Sequence, residues 1–428
     1  MRSHAFTIAS LSVFVLAAGC SQPLRARGDA GGKDAKTTGA EVVGADAATS
    51  NDVHESPTWK PTGAVTVGVD AAMYTADHAV SADTKLVARS IASSYRAQTC
   101  AVLTDDTVRC WGMTIDVPVK VEGIANIASV SAGSWGNNCA VLSNSTIQCW
   151  GDLAECSSNG CPYTAIPVPT TVSGITNAVA VSAGASHSCA LLGNGIVQCW
   201  GYNLSGQVGD GTIMPISASA LTEFPIVTVS GIHNATAVSA GDEHTCALLI
   251  DGTVQCWGAV LGRTSNLAVN LVPTTISGIK DAIAIATSPG VVCAVLRGGT
   301  VQCLGNARGG LGDGKSFDSS VPVTLVGISN AIAVAPGYWH GCALLADGTV
   351  VCWGNNACGQ LGNGSTTSSN VPAKVSGIVN AVAVTVGDRQ SCVLLSSGSV
   401  QCWGYNYRGS LGNGNTEDSA VPVTVVGF

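Results

Sequence analysis

Cys342-Ala-Leu-Leu-Ala-Asp-Gly-Thr-Val-Val-Cys352-Trp353-Gly354 reads as two short apolar strands folded back about an Asp-Gly turn. With Ala346, Asp347 and Gly348 as a three-residue loop and Gly348 in the left-handed conformation, Cys342 lies opposite Cys352. At a non-hydrogen-bonded position the two Cα atoms come about 4.5 Å apart, near the lower edge of what a disulfide spans. The pair is expected to staple the hairpin. The same spacing recurs at Cys100/Cys110, Cys139/Cys149, Cys189/Cys199, Cys246/Cys256, Cys293/Cys303 and Cys392/Cys402, so seven such disulfides are expected. Trp follows the second cysteine as Trp111, Trp150, Trp200, Trp257, Trp353 and Trp403, with Leu304 in the remaining copy. Side chains alternate along a strand, so each Trp points away from its cysteine and toward the next sheet. The C-x9-C spacing is not the short chelating spacing of zinc sites, and no metal is expected.

Hairpin cysteines follow one another at 39 to 57 residues, and each full period divides into four strands. A small-residue strand such as Asn177-Ala-Val-Ala-Val-Ser-Ala-Gly184 comes first, the hairpin follows, and a P-x-x-V-x-G-I strand such as Pro322 to Ile328 comes last. Four strands in about fifty residues indicate a β-propeller blade. Small residues suit the crowded axis, and proline suits an outer edge strand that can lose a ladder donor. Several copies carry a glycine loop before the last strand, as in Gly206-Gln-Val-Gly-Asp-Gly211 and Gly359-Gln-Leu-Gly-Asn-Gly364. No helical pattern follows these glycines, so they read as turns needing positive φ rather than as phosphate cradles.

From about Leu86 to Phe428 the combination of C-A-L-L-x-D-G-x-V-x-C-W-G, G-Q-L-G-N-G and P-x-x-V-x-G-I resembles the regulator of chromosome condensation repeat family. The resemblance implies an all-β fold: a seven-bladed β-propeller of four-stranded blades, its ring closed by N- and C-terminal segments. Repeat 1 lacks the glycine loop, repeat 2 replaces it with the Cys156 to Cys161 segment, and repeat 4 has only Gly258-Ala-Val-Leu-Gly262. Altered rims are expected at those three blades.

Upstream of the repeats, Arg2 and His4 precede an apolar run from Ala5 to Ala18, and Leu16-Ala-Ala-Gly-Cys20 is similar to a bacterial lipoprotein processing site. Residues 1–19 are therefore expected to be a signal peptide, Cys20 a lipidated N-terminus, and residues 20–60 a flexible tether rich in Ala, Gly, Asp, Thr and Ser. Residues 61–85 read as an irregular segment, and the propeller occupies 86–428. The expected address is the bacterial cell envelope, lipid-anchored at the outer membrane or cell surface, an extracytoplasmic setting in which disulfides persist. Cys156 and Cys161 enclose Ser-Ser-Asn-Gly and are expected to close a small loop. Cys358 has no obvious partner and reads as an inert thiol in a surface loop, with an intermolecular bridge as the alternative.

The net charge is −8, and no Lys or Arg occurs between Lys120 and Arg263, an interval that holds Asp210, Asp242, Glu243 and Asp251. Phosphate neutralisation needs a basic stripe, so neither nucleic acid nor nucleotide is an expected partner. No cofactor is expected. Loops joining each first strand to its hairpin emerge on one face around the axis. They carry Tyr95, Trp135, Asp242, Glu243, Tyr338, Trp339 and Arg389, which with His244 form the candidate binding set, exposed aromatics serving as anchors. His187, His244 and His340 each stand two residues before a hairpin cysteine and read as strand-opening hydrogen bonders rather than catalysts.

Gly337-Tyr338-Trp339-His340-Gly341-Cys342 resembles the corresponding loop of the bacterial propeller that inhibits β-lactamases, which presents loop aromatics from this face. The expectation is a non-enzymatic, membrane-anchored propeller that recognises a protein or other macromolecule through this face. The alternatives are an extracytoplasmic hydrolase or lyase at the channel mouth near Asp242, Glu243 and His244, and a purely structural envelope component.

Overall fold

The computed structural model describes residues 86–134, 136–152, 165–213, 225–260, 269–315 and 318–428. The signal peptide, Cys20, the tether, the irregular segment 61–85, Trp135 and the Cys156 to Cys161 loop lie outside the described residues. The described residues form seven antiparallel sheets of four strands, each sheet contiguous in sequence. Blade 1 comprises Ala88–Ser93, Gln98–Leu103, Val108–Gly112 and Ile115–Lys120. Blade 7 comprises Ala381–Val386, Gln390–Leu395, Val400–Gly404 and Ser419–Thr424. First strands contact first strands from each blade to the next, and that of blade 7 meets that of blade 1, so the ring is closed.

Each hairpin has the register its cysteines demand. Cys342 pairs with Cys352, and the loop is Ala346 to Gly348, closed by Leu345 N–H donating to Thr349 O at 2.9 Å. Gly348 has φ of 75°, where a side chain would be strained. The cysteines stand directly opposite each other in all the other copies as well, and every pair expected from the spacing is a disulfide. In blades 1 to 3 the links are Cys100–Cys110, Cys139–Cys149 and Cys189–Cys199. In blades 4 to 7 they are Cys246–Cys256, Cys293–Cys303, Cys342–Cys352 and Cys392–Cys402. The Cα atoms lie 4.0 to 4.1 Å apart, a little closer than the spacing of about 4.5 Å at a non-hydrogen-bonded pair.

Such a set of links marks a chain that folds in an oxidising compartment. Asp347 Oδ1 accepts from Thr349 N at 2.9 Å and from its Oγ1 at 2.6 Å, which pulls the Asp347 carboxyl below the usual carboxylate range. Cys358 corrects its expectation: it is 3% exposed and disulfide-bonded, so it is neither on the surface nor an inert thiol.

Four of the Trp residues that follow a hairpin, Trp111, Trp257, Trp353 and Trp403, point to a neighbouring blade and meet its glycine loop. Trp257 Nε1–H donates to Gln207 O, and Trp403 Nε1–H to Gln360 O, each at 2.9 Å. A Cβ on Gly209 or Gly362 would come within 2.6 Å of the same indole nitrogens, so only glycine lets the loop lie this close. Gly312 and Gly412 approach Trp353 and Trp111 in the same way. Blades 1, 2 and 4 lack the complete loop. Their following neighbours present Trp150, a half-buried Trp200 and Leu304. Loop and indole thus act as one inter-blade unit, and truncating a fully seated Trp to Ala is worth about 3–5 kcal/mol.

Hydroxyls on the first strands clasp successive blades. Ser131 Oγ accepts from Ala183 N, and Ser182 Oγ from Ala240 N, both at 2.8 Å. The seam is clasped alike, by Thr385 Oγ1 accepting from Ser93 N at 2.9 Å. Thr114 N–H donating to Arg408 O and Gly414 N–H donating to Asp116 O, each at 3.0 Å, extend that seam outward. The chain enters blade 1 beside two hairpin turns: Val87 O accepts from Thr104 N, and Ala88 N–H donates to Gly398 O, both at 3.0 Å.

Candidate binding face

Antiparallel order puts the first-to-second and third-to-fourth connections of every blade on the same face, with the hairpin turns on the other. One sector of the first face gathers aromatic rings and guanidinium groups into a row. Tyr95 meets Tyr338 edge-on at 5.9 Å between centroids, and Tyr338 meets Trp339 at 5.3 Å. The Arg308 guanidinium lies 5.2 Å from the Tyr338 centroid and 5.7 Å from that of Trp339. Arg389 lies 5.5 Å from Trp339 and 5.9 Å from Tyr405, which stacks at 6.1 Å on Tyr407. The row runs from Tyr95, at the mouth of the axial channel, to Tyr407, which is 60% exposed. Each cation–π contact is worth about 0.5–1 kcal/mol at such a site.

The third strands position these loops. Trp339 O accepts from Asn355 N at 2.8 Å, and Arg389 O accepts from Tyr405 N at 2.9 Å, which sets Arg389 beside Tyr405. Both bonds depend on the glycine after the hairpin Trp: a Cβ on Gly354 would stand 2.7 Å from Trp339 O, and one on Gly404 2.3 Å from Arg389 O. Asp388 lies at the inner end, its carboxyl held above the usual range by burial against the opposing charge of Arg389 and hydrogen bonds from Trp339 and Tyr95. Burial, then the charges of Asp388 and Asp242, push the Tyr95 phenol well above its ordinary value. Asp388 and the Tyr95 phenol thus lie together at the inner end of the row, with Arg389 Nε 3.8 Å from Asp388 Oδ2.

Of the residues expected from the sequence, the structure brings Tyr95, Tyr338, Trp339 and Arg389 together, with Asp242 near enough to act on Tyr95. Trp135 lies outside the described residues. Glu243 is turned to Ser205, whose Oγ donates to it at 3.3 Å. His244 is 0% exposed and stays out of the row. It belongs to a ring of buried side chains that bridge blades under the loops. There His187 Nε2 contacts Thr245 Oγ1 at 2.8 Å, and His340 Nε2 contacts Ser391 Oγ at 2.8 Å.

The equivalent hydroxyl position in the next blade is Val292 for His244, and neither of its ring nitrogens has a hydrogen bond of good geometry. Burial pushes His187 and His340 down to about 3 and His244 to about 4, the neighbouring His244 charge adding to the effect on His187. Burial thus seals His244 from solvent, while Asp242 and Glu243 stay half-buried on the loop before it.

Arg308, Tyr405 and Tyr407 are members of the row that sequence reasoning missed. They stand just before the glycine loops, in Asn306-Ala-Arg308 and Tyr405-Asn-Tyr407. The antiparallel alternation of connections was the available signal, since it puts those positions on the face that carries Tyr338 and Arg389.

The fold and the site can now be set beside known proteins. A family model described as the regulator of chromosome condensation (RCC1) repeat matches residues 178–207, 235–259, 331–360 and 381–410, and a second model of that description matches 347–394. Residues 178–207, 235–259 and 331–410 thus match the regulator of chromosome condensation repeat. Each of the first four matched segments spans one stapled hairpin. No curated protein matches the chain in sequence.

Among solved structures, human WBSCR16 superposes with a TM-score of 0.63 at 23% identity, over 73% of this chain and 84% of its own. Prp20p from Saccharomyces cerevisiae, described with its binding properties to Gsp1p and histones, gives 0.62 at 19% identity over 76% and 87%. Yeast RCC1 (Prp20) bound to Kap60 gives 0.63 at 17% over 89% and 91%. At these identities the likeness is one of fold.

Proposed function

We propose that this RCC1-repeat propeller is a binding protein, not an enzyme, and that it captures a protein partner on the face carrying Tyr95, Tyr338, Trp339, Arg308, Arg389 and Tyr405. The observation that carries this is the continuous row of rings and guanidinium groups from the channel mouth to the rim. Rigid aromatics and arginines give contact area at little cost in side-chain entropy, and they dominate the energetics of protein interfaces. Arg308 spends its charge on two ring faces and has no carboxylate at ion-pair distance among the described residues, so it is available to a carboxylate on the partner. Partners of the yeast propeller named above are proteins as well, which is in keeping with this role.

In the same proposal Cys20 carries a lipid and the propeller works outside the cytoplasm, tethered to the cell envelope. The disulfides support the compartment; the lipid rests on the sequence around Cys20. Crosslinking on native envelopes followed by affinity purification should recover the partner. Trp339→Ala and Arg308→Ala should each weaken its capture about tenfold or more while the melting temperature stays within a few degrees. Capture unchanged in both variants would reject the face. Cys20→Ser should abolish incorporation of a labelled fatty acid, and labelling that persists would remove Cys20 from the anchor.

A further inference from the structure

The mouth of the axial channel lies at the inner end of the aromatic row and encloses about 330 Å³, open to solvent. Its clearance suits a group about the size of a water molecule, because Ala132, Ala183, Ala240, Gly241 and Pro336 crowd the axis. Tyr95 forms one wall. Ser288, on the opposite side of the ring, also lines the mouth; it is 2% exposed and its Oγ has no hydrogen-bond partner. A buried hydroxyl left in this state costs about 1–3 kcal/mol unless something from outside satisfies it. Oδ1 of Asp388, whose carboxyl lies beside Tyr95, is buried and has no donor of good geometry. Asp242 acts on the same phenol as Asp388, so two carboxylates bear on Tyr95. Among the described residues that line the mouth there is no Lys or Arg. Arg389, next to Asp388 in sequence, reaches the other oxygen of Asp388, with Nε 3.8 Å from Oδ2, and lays its guanidinium between Trp339 and Tyr405.

We infer that the channel mouth receives a primary ammonium group, the head of a lysine side chain on the protein captured by the aromatic row. The inference rests on the binding role proposed above and names a chemical feature of the partner. Ammonium matches each part of the site. It brings positive charge to a mouth where two carboxylates bear on one phenol, N–H donors to Ser288 Oγ and Asp388 Oδ1, and a cation to the Tyr95 ring. A guanidinium is planar and broader than the space between these small side chains, and a carboxylate would meet like charge. A lysine stem has the reach to enter from a partner resting on the rim, its methylenes passing along Tyr95 and Tyr338.

The test uses the full chain and three probes in calorimetric titrations: n-butylammonium chloride, n-butanol as its neutral counterpart, and acetyl-Gly-Lys-Gly-amide. The expected result is saturable binding of butylammonium and of the peptide, with none for butanol. Asp388→Asn and Ser288→Ala should each weaken butylammonium about tenfold at unchanged melting temperature, which a merely structural role for these side chains would not do. Equal binding of butanol, or affinity unmoved in both variants, overturns the ammonium site. Butylammonium binding with exclusion of the peptide overturns the lysine source in favour of a free amine. If butylammonium fails while Trp339→Ala still abolishes partner capture, the axial inference falls and the aromatic face stands. If butylammonium binds through Asp388 while Trp339→Ala leaves capture intact, the aromatic face falls and the lysine source with it.

Discussion

His187, His244 and His340 show how one repeated position becomes an inter-blade bond or an unmet one, depending on a residue some fifty positions away. A hydroxyl follows in the next blade for His187 and His340, while Val292 stands at that place for His244. All three imidazoles are buried with folded pKa values of about 3 to 4, far below the ordinary 6.5. The unfolded chain therefore takes up protons below about pH 6.5 while the folded chain does not until near pH 4 to 3, so stability present above 6.5 is lost as pH falls through that window. Each histidine adds about 1.4 kcal/mol per pH unit to the slope. Gln98 and Gln390 occupy the equivalent position in blades 1 and 7, so glutamine is the compatible replacement. Urea unfolding of the triple variant His187→Gln, His244→Gln, His340→Gln at pH 7, 6 and 5 should show a slope shallower by about two protons over the range, approaching about three between pH 6 and 5. An unchanged slope would mean that these rings titrate normally.

The hairpin was legible from the sequence because everything that sets it is local: the Asp-Gly loop, the alternation of apolar residues, and the cysteines at a fixed distance from the turn. The same locality made the four-strand period and the direction of the Trp readable. It also limits what the element can do alone. A disulfide closing so short a loop removes about 3 kcal/mol of unfolded-chain entropy, a modest sum for one blade. Replacing Cys342 and Cys352 together by Ala should lower the unfolding free energy by about 2–3 kcal/mol and leave the links in the other blades and the near-ultraviolet spectrum largely intact. Loss of all folded signal would show that the blades do not tolerate a missing staple. The glycine loop was harder to read. Its glycines announce positive φ, but their reason, an indole from the next blade in the space a Cβ would fill, is a contact between residues about forty to fifty apart that periodicity within one repeat does not reveal.

In the whole molecule the ring has a seam between the first and last blades, and the site straddles it. Tyr95 belongs to blade 1, Asp388, Arg389 and Tyr405 to blade 7, and Tyr338 and Trp339 to blade 6. That distribution is why the row stayed hidden in the sequence: Tyr95 and Tyr338 touch across a chain separation that only closure removes. Cys358 was unreadable for a similar reason, since nothing beside it in the chain announces that it is buried and bonded. Thr385→Val deletes the hydroxyl that accepts from Ser93 N at 2.9 Å and leaves that amide without it. The variant should unfold about 1–2 kcal/mol more easily, and amide exchange should quicken first in Ala88–Ser93 and Ala381–Val386. Protection lost evenly around the ring would argue against a seam.

The place where the polypeptide joins blade 1 has a mechanical consequence. Val87 and Ala88 are fastened to the hairpin turns of blades 1 and 7, on the side of the disk away from Tyr338 and Trp339. The chain therefore enters the propeller on the face opposite the aromatic row. Entry and capture thereby occupy opposite faces, so a substitution at Val87 or Ala88 acts on the hairpin-turn side and touches no ring or guanidinium of the row.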